Sequence, residues 1–165
     1  MSFINTGSAA AVFHVRSGNP ADPVRYYTVE PGKQLTGSSY DLSVYGPNGF
    51  ARYFKGSLSS GAAALDVVSQ YLKEGHGAID LKITNVGANR AEISIQDAYS
   101  GDSSQRFLQP GQTFEVKSVL NQTYGWYDWI ITVAGDPLVY RLAGHVETGK
   151  DSISDPALGG LVLKG

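Results

Sequence analysis

The stretch Ser38–Gly56, SSYDLSVYGPNGFARYFKG, has a counterpart further along the chain in Gly125–Gly144, GWYDWIITVAGDPLVYRLAG. Both contain a Tyr-Asp pair, run on in alternating apolar and polar residues, turn at a corner rich in Gly and Pro, and close on glycine. Alternation is the pattern of a strand with one buried face. Asn48-Gly49 supplies the positive backbone φ that a tight hairpin requires. Each stretch reads as a hairpin, and its recurrence asks whether the surroundings recur too.

They do, in order. INTGSAAAVFHV from Ile4 lies over ITNVGANRAEISI from Ile83, with Gly7 on Gly87, Phe13 on Ile93 and Val15 on Ile95. YTVEPGKQL from Tyr27 lies over FLQPGQTF from Phe107, bringing Pro31 onto Pro110. Tyr40 then falls on Tyr127 and Gly56 on Gly144. The offset drifts only from about 80 to 88, which loop insertions absorb at small entropic cost. Four matched segments in sequence define two tandem copies of one unit.

Short alternating runs bounded by Gly, Pro, Asn and Asp mark the strands. They are expected at Ala11 to Arg16, Arg25 to Val29, Tyr40 to Tyr45 and Phe50 to Lys55 in the first copy. The second copy adds Leu65 to Leu72 and Ala78 to Asn85, flanking a KEGHG turn. Ala91 to Gln96, Gln105 to Leu108, Thr113 to Ser118, Tyr127 to Val133 and Leu138 to Val146 follow. No window carries a convincing helical stripe; Ala62 to Lys73 comes nearest, and its paired valines suit a strand equally. The expected fold is all-β, as two tandem immunoglobulin- or fibronectin-like antiparallel sandwiches. The first repeat spans 1–60, the second 61–149, and a tail 150–165. The first copy begins at the equivalent of the second copy's second strand. Either an upstream segment supplies the missing edge, or the two copies share a sheet.

Tyr40 and Tyr127 sit where such sandwiches place a corner tyrosine, which bonds to upstream backbone. Leu42 and Val44, or Trp129 and Ile131, continue on the same face. Asp41, Ser43, Asp128 and Thr132 point outward, and Ile130 interrupts that rule.

The 165 residues carry a net charge of −2, 42% hydrophobic and 17% charged residues, and no cysteine. That composition suits a folded domain, excludes disulfides and thiol chemistry, and lacks the basic face of a nucleic-acid binder. No apolar run approaches the roughly 20 residues of a membrane-spanning helix.

Candidate chemistry is sparse. His14, His76 and His145 lie apart, with no HExxH or similar pair. No G-x-S-x-G elbow, phosphate loop or dinucleotide fingerprint is present. Asp97 and Asp102 bracket AYSG, and Asp22 lies in NPADP, but neither completes a calcium loop. Asn121 opens a formal glycosylation sequon. The expectation is no catalytic residue, no metal site and no cofactor. Most aromatics belong to the core; Trp126, beside Gly125, is the candidate for contact with a lipid interface.

AAAVFHV, YTVEPGKQL, YDLSVYGPNGFARYFKG and the closing YRLAGHVETGKDSISDP resemble the C-terminal region of bacterial phosphocholine-preferring phospholipases C, haemolytic and non-haemolytic. The resemblance runs from about Phe3 to Pro156. It implies a module carried twice in tandem, in a secreted enzyme that hydrolyses phosphatidylcholine and, in some members, sphingomyelin. The catalytic groups of that family lie in an N-terminal phosphatase-like domain, so no catalytic residue carries over. MSF is then an artificial start, which accounts for the absent signal peptide and first strand. The implied partners are the N-terminal catalytic domain and a membrane surface or an export partner. The tail after Thr148 is expected to be extended or mobile. The competing expectation is a purely structural or protein-interaction module.

Overall fold

The computed structural model describes residues 2–4, 11–32, 34–36, 41–57, 61–72 and 77–157. These residues form strands and turns and no helix. The first repeat contributes β1 (Ser2–Ile4), β2 (Ala11–Ser17), β3 (Arg25–Val29), β4 (Gln34–Thr36), β5 (Asp41–Tyr45) and β6 (Ala51–Lys55). The second contributes β7 (Leu65–Leu72), β8 (Ala78–Asn85), β9 (Ala91–Asp97), β10 (Ser103–Leu108), β11 (Thr113–Val119), β12 (Trp126–Val133) and β13 (Val139–His145). The all-β expectation is met, and strand β7, Leu65–Leu72, falls in the stretch that came nearest to a helical stripe. Two strands of three residues, β1 and β4, escape the sequence reading because so short a run shows no alternation.

The two repeats share one sheet. Its eight antiparallel strands run β10-β9-β12-β13-β6-β5-β2-β3, and the join is the pairing of β13 with β6. A three-stranded sheet, β11-β8-β7, and a two-stranded one, β1-β4, complete the layers. The registers of the two halves coincide. Ala11 faces Val29 as Ala91 faces Leu108, and Val15 faces Val44 as Ile95 faces Ile131. At the join, Tyr53 faces Arg141, its own equivalent 88 positions along (141 − 53). Val139 faces Lys55 on one side and Ala143 faces Ala51 on the other, each pair being the other's image under the same offset. The strand order is therefore a palindrome about a pseudo-two-fold axis at Tyr53 and Arg141.

In the same sense β1 pairs with β4 as β8 pairs with β11, and β7 has no counterpart among the described strands of the first repeat. β7 lies across the join. Its Leu65 carbonyl accepts from the Tyr140 hydroxyl of β13 at 3.5 Å, while its Ser69 and Tyr71 meet Arg52 of β6.

Alternation puts Leu65, Ile79, Leu81, Ile83, Ile93, Ile95, Trp129 and Ile131 into one buried cluster between the second repeat's sheets. Each such side chain contributes roughly 1.5–3 kcal/mol when removed from water. The described core of the first repeat is smaller: Val15, Leu42 and Val44, with Phe13, Tyr27, Phe50 and Phe54 half-buried around them. Asn85 is the buried polar residue of the second repeat. Its amide donates to the Asn89 and Leu108 carbonyls at 2.8 and 2.9 Å, and its oxygen accepts from the Gly87 N–H at 3.0 Å.

The Asn48-Gly49 corner forms as read, with φ of 55° and 70°, and Phe50 N–H donates to the Pro47 carbonyl at 3.1 Å.

Candidate functional site

Among the described residues, two side-chain clusters stand out. The first lies at the join. Arg52 occupies an inward position of β6, equivalent to Tyr140, and its guanidinium is buried. Nη1 donates to the Ala143 carbonyl at 2.7 Å and the Ala51 carbonyl at 2.9 Å. Nη2 donates to the Tyr127 hydroxyl at 2.9 Å and the Tyr71 hydroxyl at 3.2 Å. The Phe50 ring lies 4.2 Å below the guanidinium carbon, a cation–π contact.

The Tyr127 and Tyr71 hydroxyls are 2.6 Å apart. Burial pushes the Tyr127 phenol well above its ordinary value, and the Arg52 charge offsets this only in part. Thus Tyr127 is a deeply buried anchor at the start of its strand, and its hydroxyl meets side chains of β6 and β7. Gly144 makes room for it: a Cβ there would stand 2.7 Å from the phenol oxygen. Tyr40, the expected corner of the first repeat, lies outside the described residues. Arg52 is the residue that sequence reasoning passes over. The available signal is a charge in the inward register of an alternating strand.

The second cluster surrounds Trp126. Its ring is half-buried, its indole N–H donates to the Ile153 carbonyl at 2.9 Å, and His145 packs on it at 4.8 Å. Gly49 at the tip of the first repeat's hairpin lies beneath it, where a Cβ would come within 2.4 Å of the ring. The described part of the tail is therefore extended but pinned. Tyr99 donates to Asp155 at 2.8 Å, and Pro156 is buried. Burial first, then that bond and the nearby carboxylates, raise the Tyr99 phenol.

His145 Nδ1 lies 3.0 Å from Glu147, and Nε2 lies 2.9 Å from both Ser152 Oγ and the Tyr124 carbonyl. The spacing is that of a Ser–His–acid chain. The Ser152 hydroxyl also lies 2.8 Å from the Tyr124 carbonyl, so His145, Ser152 and Tyr124 share one set of hydrogen bonds. The chain of bonds holds the tail against β12 and β13.

The remaining candidates are dispersed. His14 stands on the outer face of β2, edge-on to Tyr26 at 4.7 Å. His76 lies outside the described residues. Asp97 caps its own loop, accepting from the Tyr99 and Ser100 N–H groups, while the Asp102 N–H donates to Ser100. Asn19 likewise holds the turn before Asp22. Among the described residues no group of three or more His, Cys, Asp or Glu could hold a metal ion.

The fold and these clusters define an all-β module of antiparallel sheets. A family model described as "Bacterial phospholipase C, C-terminal domain" matches residues 1–57 and again 62–145, and the chain belongs to that family. It is 37% identical over 170 residues to a non-hemolytic phospholipase C of Burkholderia pseudomallei, covering 96% of this chain and 24% of that protein. With a hemolytic phospholipase C of Pseudomonas aeruginosa it shares 34% over 177 residues, covering 92% and 24%. A non-hemolytic phospholipase C of the same organism shares 32% over 174 residues, covering 96% and 25%. The chain thus spans about a quarter of the length of the relatives it matches.

Proposed function

We propose that the chain is the noncatalytic C-terminal accessory module of a secreted phospholipase C that hydrolyses phosphatidylcholine. It consists of two repeats, 1–60 and 61–149, and a tail, 150–165, and it stabilises the enzyme or helps it settle on membranes. The observation that carries this reading is the extent of the match: nearly all of this chain, yet a quarter of each relative.

The direct test is hydrolysis of a phosphocholine ester by residues 1–165. No turnover above buffer is expected, and measurable turnover overturns the noncatalytic assignment. Co-sedimentation with phosphatidylcholine vesicles tests membrane docking; a fragment that stays in the supernatant at every lipid concentration rules it out. In this reading Trp126 reaches lipid only after the tail leaves it, because Ile153 occupies its N–H.

A second reading, a purely structural or protein-interaction module, is favoured by the buried Arg52 join, which ties β6 to the Ala143 carbonyl of β13 and the Tyr127 hydroxyl of β12. It predicts that deleting the region abolishes folding or secretion, while recovered enzyme keeps its specific activity.

A further inference from the structure

The pseudo-symmetry supplies an internal comparison. The buried positions of β2 and β5 keep their character between the repeats: Val15 and Ile95, Leu42 and Trp129, Val44 and Ile131. Several outward positions of β2, β3 and β5 do not. Where the second repeat has Glu92, Ser94, Gln105 and Thr132, the same register places Val12, His14, Tyr26 and Tyr45 in the first. The fold is the same on both sides, so folding does not require the difference.

The consequence is a continuous apolar and aromatic surface. Tyr26 is 67% exposed, Tyr45 47% and Val12 45%. His14 joins them, facing Tyr26 on one neighbouring strand and Tyr45 on the other. Arg16 follows on β2, and Asp41, on the same face of β5, lies 3.9 Å from Lys55. On the opposite half Phe107, 54% exposed, carries the Arg90 guanidinium 4.5 Å from its ring. Enrichment in tyrosine and arginine with depletion of Lys, Glu and Asp is the composition of a protein–protein contact core.

We propose that this face of β2, β3 and β5 is the docking surface for the polypeptide that precedes the repeats in the full-length enzyme. The argument for that occupant is length and position. The match is to a C-terminal domain covering 24–25% of the relatives, so three quarters of such an enzyme lies outside it, and the first repeat is the one that adjoins it. Domains within one chain meet over roughly 600–1,500 Å², and buried tyrosines are the residues that dominate such contacts. The inference rests on the accessory-module reading.

The test compares two double variants of the full-length enzyme, Tyr26→Lys with Tyr45→Lys, and Gln105→Lys with Thr132→Lys at the equivalent positions. Small-angle scattering reads the separation of the two parts, and limited proteolysis reads exposure of the junction before residue 1. The patch variant is expected to expand and to be cut about tenfold to a hundredfold faster, the loss of two aromatic anchors. The control variant is expected to keep the wild-type values, which also shows that two added lysines do not unfold the sheet. Equal behaviour of the two variants overturns the proposal. A patch variant that stays compact but no longer binds phosphatidylcholine vesicles also overturns it, and assigns the face to the membrane. Turnover by residues 1–165 alone strikes instead at the accessory-module reading, so the two failures are distinguishable.

Discussion

Replacing Arg52 with alanine tests whether the two halves are one cooperative body. The side chain bonds one backbone carbonyl across the join, that of Ala143, one on its own strand, that of Ala51, and the Tyr127 and Tyr71 phenols. Hydrogen bonds from a charged donor are each worth about 1.5–3 kcal/mol when truncated. Against their sum stands the cost of holding a guanidinium out of water with carbonyls and phenols as its partners, itself several kcal/mol. The phenols also keep each other as partners at 2.6 Å. The net loss is therefore about 2–4 kcal/mol, most of it from the stranded carbonyl of Ala143 and the emptied space over Phe50. For a chain of this size that lowers Tm by about 5–15 °C. Urea unfolding followed by tryptophan fluorescence and circular dichroism measures it. Arg52→Lys should recover less than half, because an ammonium cannot reproduce the planar fork or the stacking. A loss below about 0.5 kcal/mol, the range of ordinary surface substitutions, refutes the reasoning. Two separate transitions in the wild-type protein would refute it as well.

Three further outcomes follow from the same geometry. The Tyr127 phenol is raised in the fold, so its contribution is complete below the unfolded value near 10 and is lost as pH climbs through the folded value. Urea titrations between pH 9 and 11.5 (a window taken from the ordinary tyrosine range) should show stability falling, and Tyr127→Phe should flatten the slope. Gly49→Ala forces a Cβ against the Trp126 ring at φ 70° and should cost about 1–3 kcal/mol with a shifted tryptophan emission, read by equilibrium denaturation. Asn85→Ala removes three bonds from a buried site and should cost about 2–4 kcal/mol; a loss within error of zero would mean that water takes over its role.

Periodicity makes the strands legible because most have one wet and one dry face, and the repeat makes the equivalence of the halves legible before any pairing is known. What sequence leaves out is whatever depends on distance along the chain. Alternation places Arg52 inward but says nothing of the Tyr127 and Tyr71 phenols that receive it. Gly125 makes Trp126 look like the tip of a loop, and only the fold brings Gly49 and Ile153 onto the ring. Likewise the polar run HVETGKDS suggests a free end, while Asp155 accepts from Tyr99 and Pro156 is buried. β1 and β4 are read only by pairing, since three residues carry no period.

The axis between β6 and β13 sets a rule about which residues can stand on it. Were two identical chains to meet there, the central residue would have to face a copy of itself, tyrosine on tyrosine or arginine on arginine. Carrying both halves in one polypeptide lifts that restriction. Tyr53 can then face Arg141, and Arg52 can reach Tyr127 while its twin position, Tyr140, reaches the Leu65 carbonyl. The covalent link thus lets one side of the molecule specialise in packing and the other in its exposed face, with no subunit to lose on dilution.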